Sequence, residues 1–249
     1  MDWVEHFARN RAGRINIPWE LGVHVTPHLR ATLASSLQRF QIGESGDGSH
    51  LRRVAARTGD RQYALAVAAF VREEQEHAAI LARVLGCLET PLLERHWSNG
   101  CFRLICLVCG LRTELLVLLV AEIVAKRYYR LLLESIPDPV IGAICRQILH
   151  DEAGHIAFHC DALRPKLARL PVPARWAVRA AWRAFFGAVC LLVAYDHRVL
   201  LRATGCSPAA FHRDCLALFD TVAARVFAME PRLRKAEGAA MRGREELFR

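Results

Sequence analysis

The sequence predicts an all-α protein built on a four-helix bundle, with two further helices added after it. Three observations lead there. Helix formers dominate a chain that is 53% hydrophobic, and alternating strand patterns are nearly absent. One arrangement of acids and histidines occurs twice, first beginning at Glu44 and again beginning at Glu122. Turn signals fall close to the middle of each copy, so each copy reads as an antiparallel helical hairpin.

Taken in order, residues 1–26 form a lead-in with Trp3, Trp19 and turn residues. Thr26-Pro27 reads as an N-cap followed by proline at the first helical position. The first bundle helix is expected over 27–57, with Leu33, Leu37, Phe40, Glu44 and Leu51 on one face. Thr58-Gly59-Asp60 turns the chain into a second helix, about 61–86, and a crossover over 87–100 leads back along the bundle. A third helix, 101–134, and a fourth, 139–165, flank the turn Pro137-Asp138-Pro139. Pro165, Pro171 and Pro173 end the repeat. Helices over 174–204 and 207–228 and a charged tail complete the chain. The expected organisation is a lead-in (1–26), a four-helix bundle holding both copies of the acid–histidine arrangement (27–165) and a helical extension packed on it (166–249).

The repeat carries the chemistry. Glu44 is followed by Glu74 in Glu73-Glu74-Gln75-Glu76-His77. Glu122 is followed, at the same separation, by Glu152 in Asp151-Glu152-Ala153-Gly154-His155. About 15 helical residues run down to each turn and about 15 return, at roughly 1.5 Å each. Glu44 is thereby level with Glu74, and Glu122 with Glu152. Glu and His at i and i+3 project from one helix face. Four carboxylates and two imidazoles at one depth form the ligand set of a carboxylate-bridged dinuclear site, suited to two iron or manganese ions or a mixed pair. Glu114 shares a helix with Glu122 but lies roughly 12 Å from that depth.

Glu73 and Asp151 precede the ligand glutamates. A metal-bound imidazole commonly donates its other N–H to an acid. We therefore expect Asp151 to support His77 and Glu73 to support His155, each across the bundle; the plainer reading is that both are solvated helix acids.

With these residues the chain resembles the ferritin-like di-iron carboxylate superfamily, which includes rubrerythrins, bacterioferritins, acyl desaturases, ribonucleotide reductase small subunits and bacterial multicomponent monooxygenases. The resemblance spans about residues 27–165 and implies Glu44, Glu74, His77, Glu122, Glu152 and His155 as metal ligands. It implies an oxidase or oxygenase that uses O₂ and an external electron donor to oxidise a small organic substrate. A ferroxidase or rubrerythrin-like peroxidase is the alternative, and a non-enzymatic metal-binding helical protein a third. The radical tyrosine of the reductase subunits would fall at Leu81, which speaks against that branch.

The halves differ in two places. His159 stands where the first copy has Leu81. It reads as a seventh ligand, a proton carrier or an ordinary core histidine; His150 and His197 are weaker ligand candidates. An extra imidazole of this kind occurs in the related arylamine N-oxygenases. Gly43, Gly46 and Gly48 surround Glu44, and glycines in a helix interior each cost up to about 1 kcal/mol. They either open space or deformability beside the metals or allow close packing. Phe40 and Phe70 are candidate pocket walls or core.

Composition bounds the partners. The net charge of +9 is almost all arginine, since Lys126, Lys166 and Lys235 are the only lysines. Base composition of the genome explains much of that; an anionic carrier protein, substrate or membrane surface is the functional alternative, and no nucleic-acid motif is present. A homodimer is compatible with the bundle. Nine cysteines without a secretory signal suggest a reducing cytoplasm. Cys106-x-x-Cys109 lacks a second pair and reads as packing. The apolar runs at 101–133 and 184–195 are broken or bounded by charges and are expected to be buried in protein rather than to span a membrane.

Overall fold

The structure is a computed structural model that describes residues 1–94 and 110–228. The described residues are all-α, without a strand. In order they form α1 (Trp3–Ala12), a 3₁₀ turn (Trp19–Leu21), α2 (Pro27–Glu44), α3 (Ser49–Ala56) and α4 (Arg61–Cys87). After residue 110 come α5 (Leu111–Ser135), α6 (Pro139–Ala168), α7 (Val172–Asp196), α8 (Arg198–Ala203) and α9 (Pro208–Val226). The crossover, the expected start of the third bundle helix, Cys106, Cys109 and the charged tail lie outside the described residues.

Capping fixes where the ligand-bearing helices begin. Asp60 accepts from the Tyr63 amide at 2.9 Å to start α4, and Asp138 from the Ile141 amide at 2.8 Å to start α6. α2 packs along α4, and α5 along α6, as the two expected hairpins. Their facing sides merge into one core containing Leu33, Leu37, Val67, Phe70, Leu119, Ile123, Ile144 and Ile148.

Four expectations are corrected. The helix expected over 27–57 ends at Glu44 and restarts at Ser49. Gly48 explains the break: its φ of +60° is left-handed, and a Cβ there would meet Val71 Cγ1 and Cγ2 at 2.5 Å. Nothing lies within 4 Å of the Cβ positions of Gly43 and Gly46, so close packing holds for Gly48 alone. Second, α6 does not stop at Pro165 but continues to Ala168. Pro165 is exposed, where water can satisfy the carbonyl its ring leaves unpaired.

Third, the lead-in over residues 1–26 contains a helix not among those expected. α1 packs on α4, the Ile15 amide donates to Gln147 at 2.7 Å, and the His24 amide donates to Asp138 at 2.7 Å. Fourth, the helix expected over 174–204 divides at His197, and its apolar run is not buried. α7 is long and apolar enough to cross a membrane by length and composition, yet only 22% of its most apolar stretch is buried. One face, including Trp182, Phe186 and Cys190, packs on α5 and α9, with Trp182 Nε1 donating to Leu116 O at 2.9 Å. Trp176, Leu191, Leu192 and Tyr195 face outward.

The break at Gly48 carries a testable consequence. Gly48→Ala must hold a left-handed backbone and displace Val71, so it should lose about 2 kcal/mol of unfolding free energy in urea titration. Gly46→Ala, with open space around it, should stay within about 0.5 kcal/mol.

Candidate metal centre

Each helix brings its acid or histidine to the same level because the hairpins keep helical rise in register on both arms. Glu44 ends α2; Glu73, Glu74 and His77 stand mid-way along α4; Glu122 lies on α5; Asp151, Glu152, His155 and His159 lie on α6. Two groups of atoms converge. Glu74, Glu122, Glu152 and His155 form one and Glu44, Glu74 and His77 the other, each with its polar atoms within 4.8 Å of one another. Glu74 belongs to both. His77 Nδ1 lies 3.8 Å from Glu74 and from Glu152, which ties the groups further.

The two imidazoles are oriented from behind. His77 Nε2 lies 3.0 Å from Asp151 Oδ2, and His155 Nε2 lies 2.9 Å from Glu73 Oε2. This is the crossed pairing expected from the repeat. With Nε2–H donated to a carboxylate, each Nδ1 carries its lone pair toward the acids. His155 Nδ1 sits 3.0 Å from Glu74 and 3.4 Å from Glu122. Despite these short distances, the Nδ1 atoms of both histidines, Glu74 Oε1 and Glu152 Oε2 are buried without an aligned hydrogen-bond partner. Orphaned lone pairs converging in this way are costly unless a cation or protons satisfy them. The donor set is mixed oxygen and imidazole nitrogen, which suits a metal ion, and the cluster can hold one.

Electrostatics point the same way. Burial and then the neighbouring Glu74 hold the Glu44 carboxyl well above the usual carboxylate range. Burial and then Glu122 do the same to Glu152. Burial also opposes ionisation of Glu122, but the close polar atoms of Glu152, His155 and His159 outweigh it and keep Glu122 ionised. At His155 burial is overcome by the adjoining carboxylates of Glu122, Glu73 and Glu74, which raise its pKa well above the ordinary value. Acids thus share protons with one another and with His155 where a cation would stand.

Residues outside the motif complete the site. Arg14, from the segment after α1, bridges Asp151 and Glu76 (2.5 Å), with Glu73 at 3.7 Å. It holds both supporting acids from one side. Asp151 also accepts from Gln147 Nε2 at 3.0 Å; burial notwithstanding, His77, Gln147 and Arg14 draw its pKa down to about 2. Phe7 of α1 lies 6.2 Å from the His155 ring. Gly154 inside the second motif lets α1 approach, because a Cβ there would meet His6 Nε2 at 2.6 Å. Arg14 and α1 carry no motif, and only the glycine at position 154 hints at a close neighbour. Tyr129, buried with its hydroxyl unpartnered, is held well above its ordinary pKa by burial and then by Glu44.

The remaining candidates separate clearly. His159 is fully buried, lies 3.7 Å from Glu122, and has neither ring nitrogen hydrogen-bonded. His150 lies 3.3 Å from Asn10, and His197 2.6 Å from Ser36 Oγ, which also meets Tyr128 at 2.7 Å; neither histidine joins the cluster. Glu114 lies 3.0 Å from His50 Nδ1, away from the converging acids. Phe70 packs edge-on to both His155 and His159 at 4.7 Å, whereas Phe40 stacks on Tyr128 at 3.9 Å.

Comparison with protein-family models, with curated proteins and with solved structures finds no match to this chain.

Two outcomes follow from this geometry. Asp151→Asn and Glu73→Gln each leave a histidine without its anionic partner and should weaken metal affinity about 10–100-fold in competition with a chromophoric chelator. The second concerns pH. Glu44, Glu152 and His155 have raised pKa values in the folded, metal-free chain, so their contribution is fully present below the unfolded values and is lost as pH rises through the folded ones. Asp151 and Glu122 have the opposite sign, but their contributions fall away only below the ordinary carboxylate range; His6, lowered by burial, opposes the trend as one partly exposed group against three. Thermal melts of metal-free protein should therefore move upward from pH 8 to pH 5, and Glu152→Gln should flatten that slope.

Proposed function

We propose that this chain is a ferritin-like dinuclear non-haem iron protein that uses O₂ to oxidise a small organic substrate, with manganese or a mixed pair as the alternative metal content. The observation that carries the reading is the pair of donor groups sharing Glu74, with both Nδ1 lone pairs aimed into them. Two overlapping groups suit two ions joined by a carboxylate rather than one isolated ion. Glu44, Glu74 and His77 would hold one ion, and Glu122, Glu152 and His155 the other. When bound, such a pair supplies the electrons and Lewis acidity for O₂ reduction. Hydroxylation would balance as R–H + O₂ + 2e⁻ + 2H⁺ giving R–OH + H₂O, which requires an external electron donor.

The protein's part is positioning. Asp151 and Glu73 fix the tautomer of the two imidazoles, and Arg14 neutralises the excess negative charge behind them. Phe70 and Phe7 exclude water from the His155 side. The apolar packing around the histidines favours an organic substrate over a polar ion channel.

Glu74 keeps 19% of its side-chain surface exposed, and Glu44 is only half-buried, beside the open turn at 45–48. This approach from solvent favours a second reading, ferroxidase or peroxidase chemistry, in which ferrous iron reaches Glu44 and Glu74 directly. The net charge of +9 supports an acidic donor protein, an anionic carrier or an anionic membrane surface as partner, and the outward face of α7 supports a homodimer.

Metal analysis and O₂ uptake decide between these. Anaerobic loading should give two ions per chain, reduced to below one in Glu74→Ala. Exposure to O₂ should consume oxygen without releasing ferric oxide-hydroxide. Continued O₂ consumption with accumulating ferric mineral, and no dependence on an organic substrate, would replace the oxygenase reading with the ferroxidase one.

A further inference from the structure

A cleft of about 730 Å³ lies between α1, α4 and α6, outside the cluster. Its walls are two helical stripes. On α4 the stripe is Tyr63 and Ala66; Phe70 follows one turn on, outside the cleft, and the next turn carries Glu73 and Glu74. On α6 it is Lys166, Ala162 and Phe158, and the next turn toward the N-terminus carries His155. Ala66 and Ala162 both line the cleft and supply its width. Phe158 forms the inner end: it is buried, with Trp3 at 5.5 Å, Tyr63 at 5.8 Å, His159 at 5.3 Å and Phe70 at 6.2 Å between ring centroids. Phe70 in turn touches His155.

Both signs line the mouth, Asp2, Asp60 and Asp161 beside Lys166 and Arg169, and the acids are the engaged ones. Asp2 and Asp60 keep their charge but cap α1 and α4, accepting from the Glu5 and Tyr63 amides, where the helix N-termini offset part of it. Asp161 is paired with Arg164 and Arg225. Lys166 and Arg169 also line it, and among the described residues neither has an acid within ion-pair distance. Two cations therefore stand at the rim over an aromatic and alanine floor.

We infer that this cleft binds an amphipathic organic carboxylate, its anion on Lys166 and Arg169 and its apolar chain running between Ala66 and Ala162 to Phe158. Lys166 lies two helical turns beyond Phe158 on the same helix, about 12 Å along the axis. The ligand must span that length, as a medium-length alkyl or arylalkyl acid does and a short acid does not. His159 packs against Phe158 with both ring nitrogens unsatisfied. Delivery of the chain end to the metal centre rests on the proposed function; binding in the cleft does not.

Calorimetric titration of the metal-free full chain separates the two. Decanoate should bind one per chain, with decanol and butyrate at least tenfold weaker. Lys166→Ala/Arg169→Ala should lose about tenfold for decanoate and leave decanol unchanged, and Ala162→Trp should abolish binding of both. Helical content measured by circular dichroism confirms that each variant is folded. Equal affinity for decanoate and decanol in the unaltered chain, or no binding of either, overturns the inference. Decyl phosphate binding more tightly than decanoate overturns the assignment to a carboxylate. Binding as expected, with no decanoate-dependent O₂ consumption after metal loading, leaves the cleft assigned and counts against the oxygenase reading instead.

Discussion

Four glutamates and two histidines directed at one another inside an apolar core impose the constraint on which the rest of the structure depends. Moving one ionised carboxylate out of water costs several kcal/mol even after relaxation, and unpaired neighbours of like charge add to that. Metal-free, the cluster compensates by holding protons, with Glu44 and Glu152 raised and Glu122 ionised against His155. A cation would replace those protons. The surrounding helices must therefore be stable enough to carry the burden when no ion is present. The continuous core between the hairpins, with Val67, Leu119, Ile123 and Ile148 completely buried, supplies that stability.

Supporting charges are arranged so that none is left alone. Each imidazole has an acid behind it, each acid belongs to the opposite hairpin, and Arg14 closes the set by touching Asp151, Glu76 and Glu73. The crossing of partners couples the two halves: α4 cannot shift along α6 without breaking His77–Asp151 and His155–Glu73 together. Geometry at the centre is thus coupled to the register of the helices, not to any single side chain.

Much of this is legible in the sequence, and the reason is the stiffness of a helix. Equal spacing on either side of a turn converts directly to depth, so the sequence alone puts Glu44, Glu74, Glu122 and Glu152 at one level. The preceding acids follow from the chemistry of metal-bound imidazole. What cannot be read depends on tertiary packing. The break after Glu44 arises where Gly48 meets Val71, a contact between α4 and a turn that lies well before it in the chain. The outward apolar face of α7 has the same periodicity as a buried one, and only the neighbours decide which it is. Arg14 and Phe7 reach the centre from a segment whose composition gives no periodic signal at all.

The docking of α1 also bears on how the molecule assembles in time. The contact between Arg14 and Asp151 joins positions far apart in the chain, and Gly154 leaves the space that His6 fills. During synthesis α1 emerges well before α6, so it lacks this partner until α6 has been made, and the contact has a large loop to close. During that interval Arg14 can engage only Glu73 and Glu76 of α4, and the donors of α6 are missing from the centre. The centre is closed by α6, the last of its helices to be made.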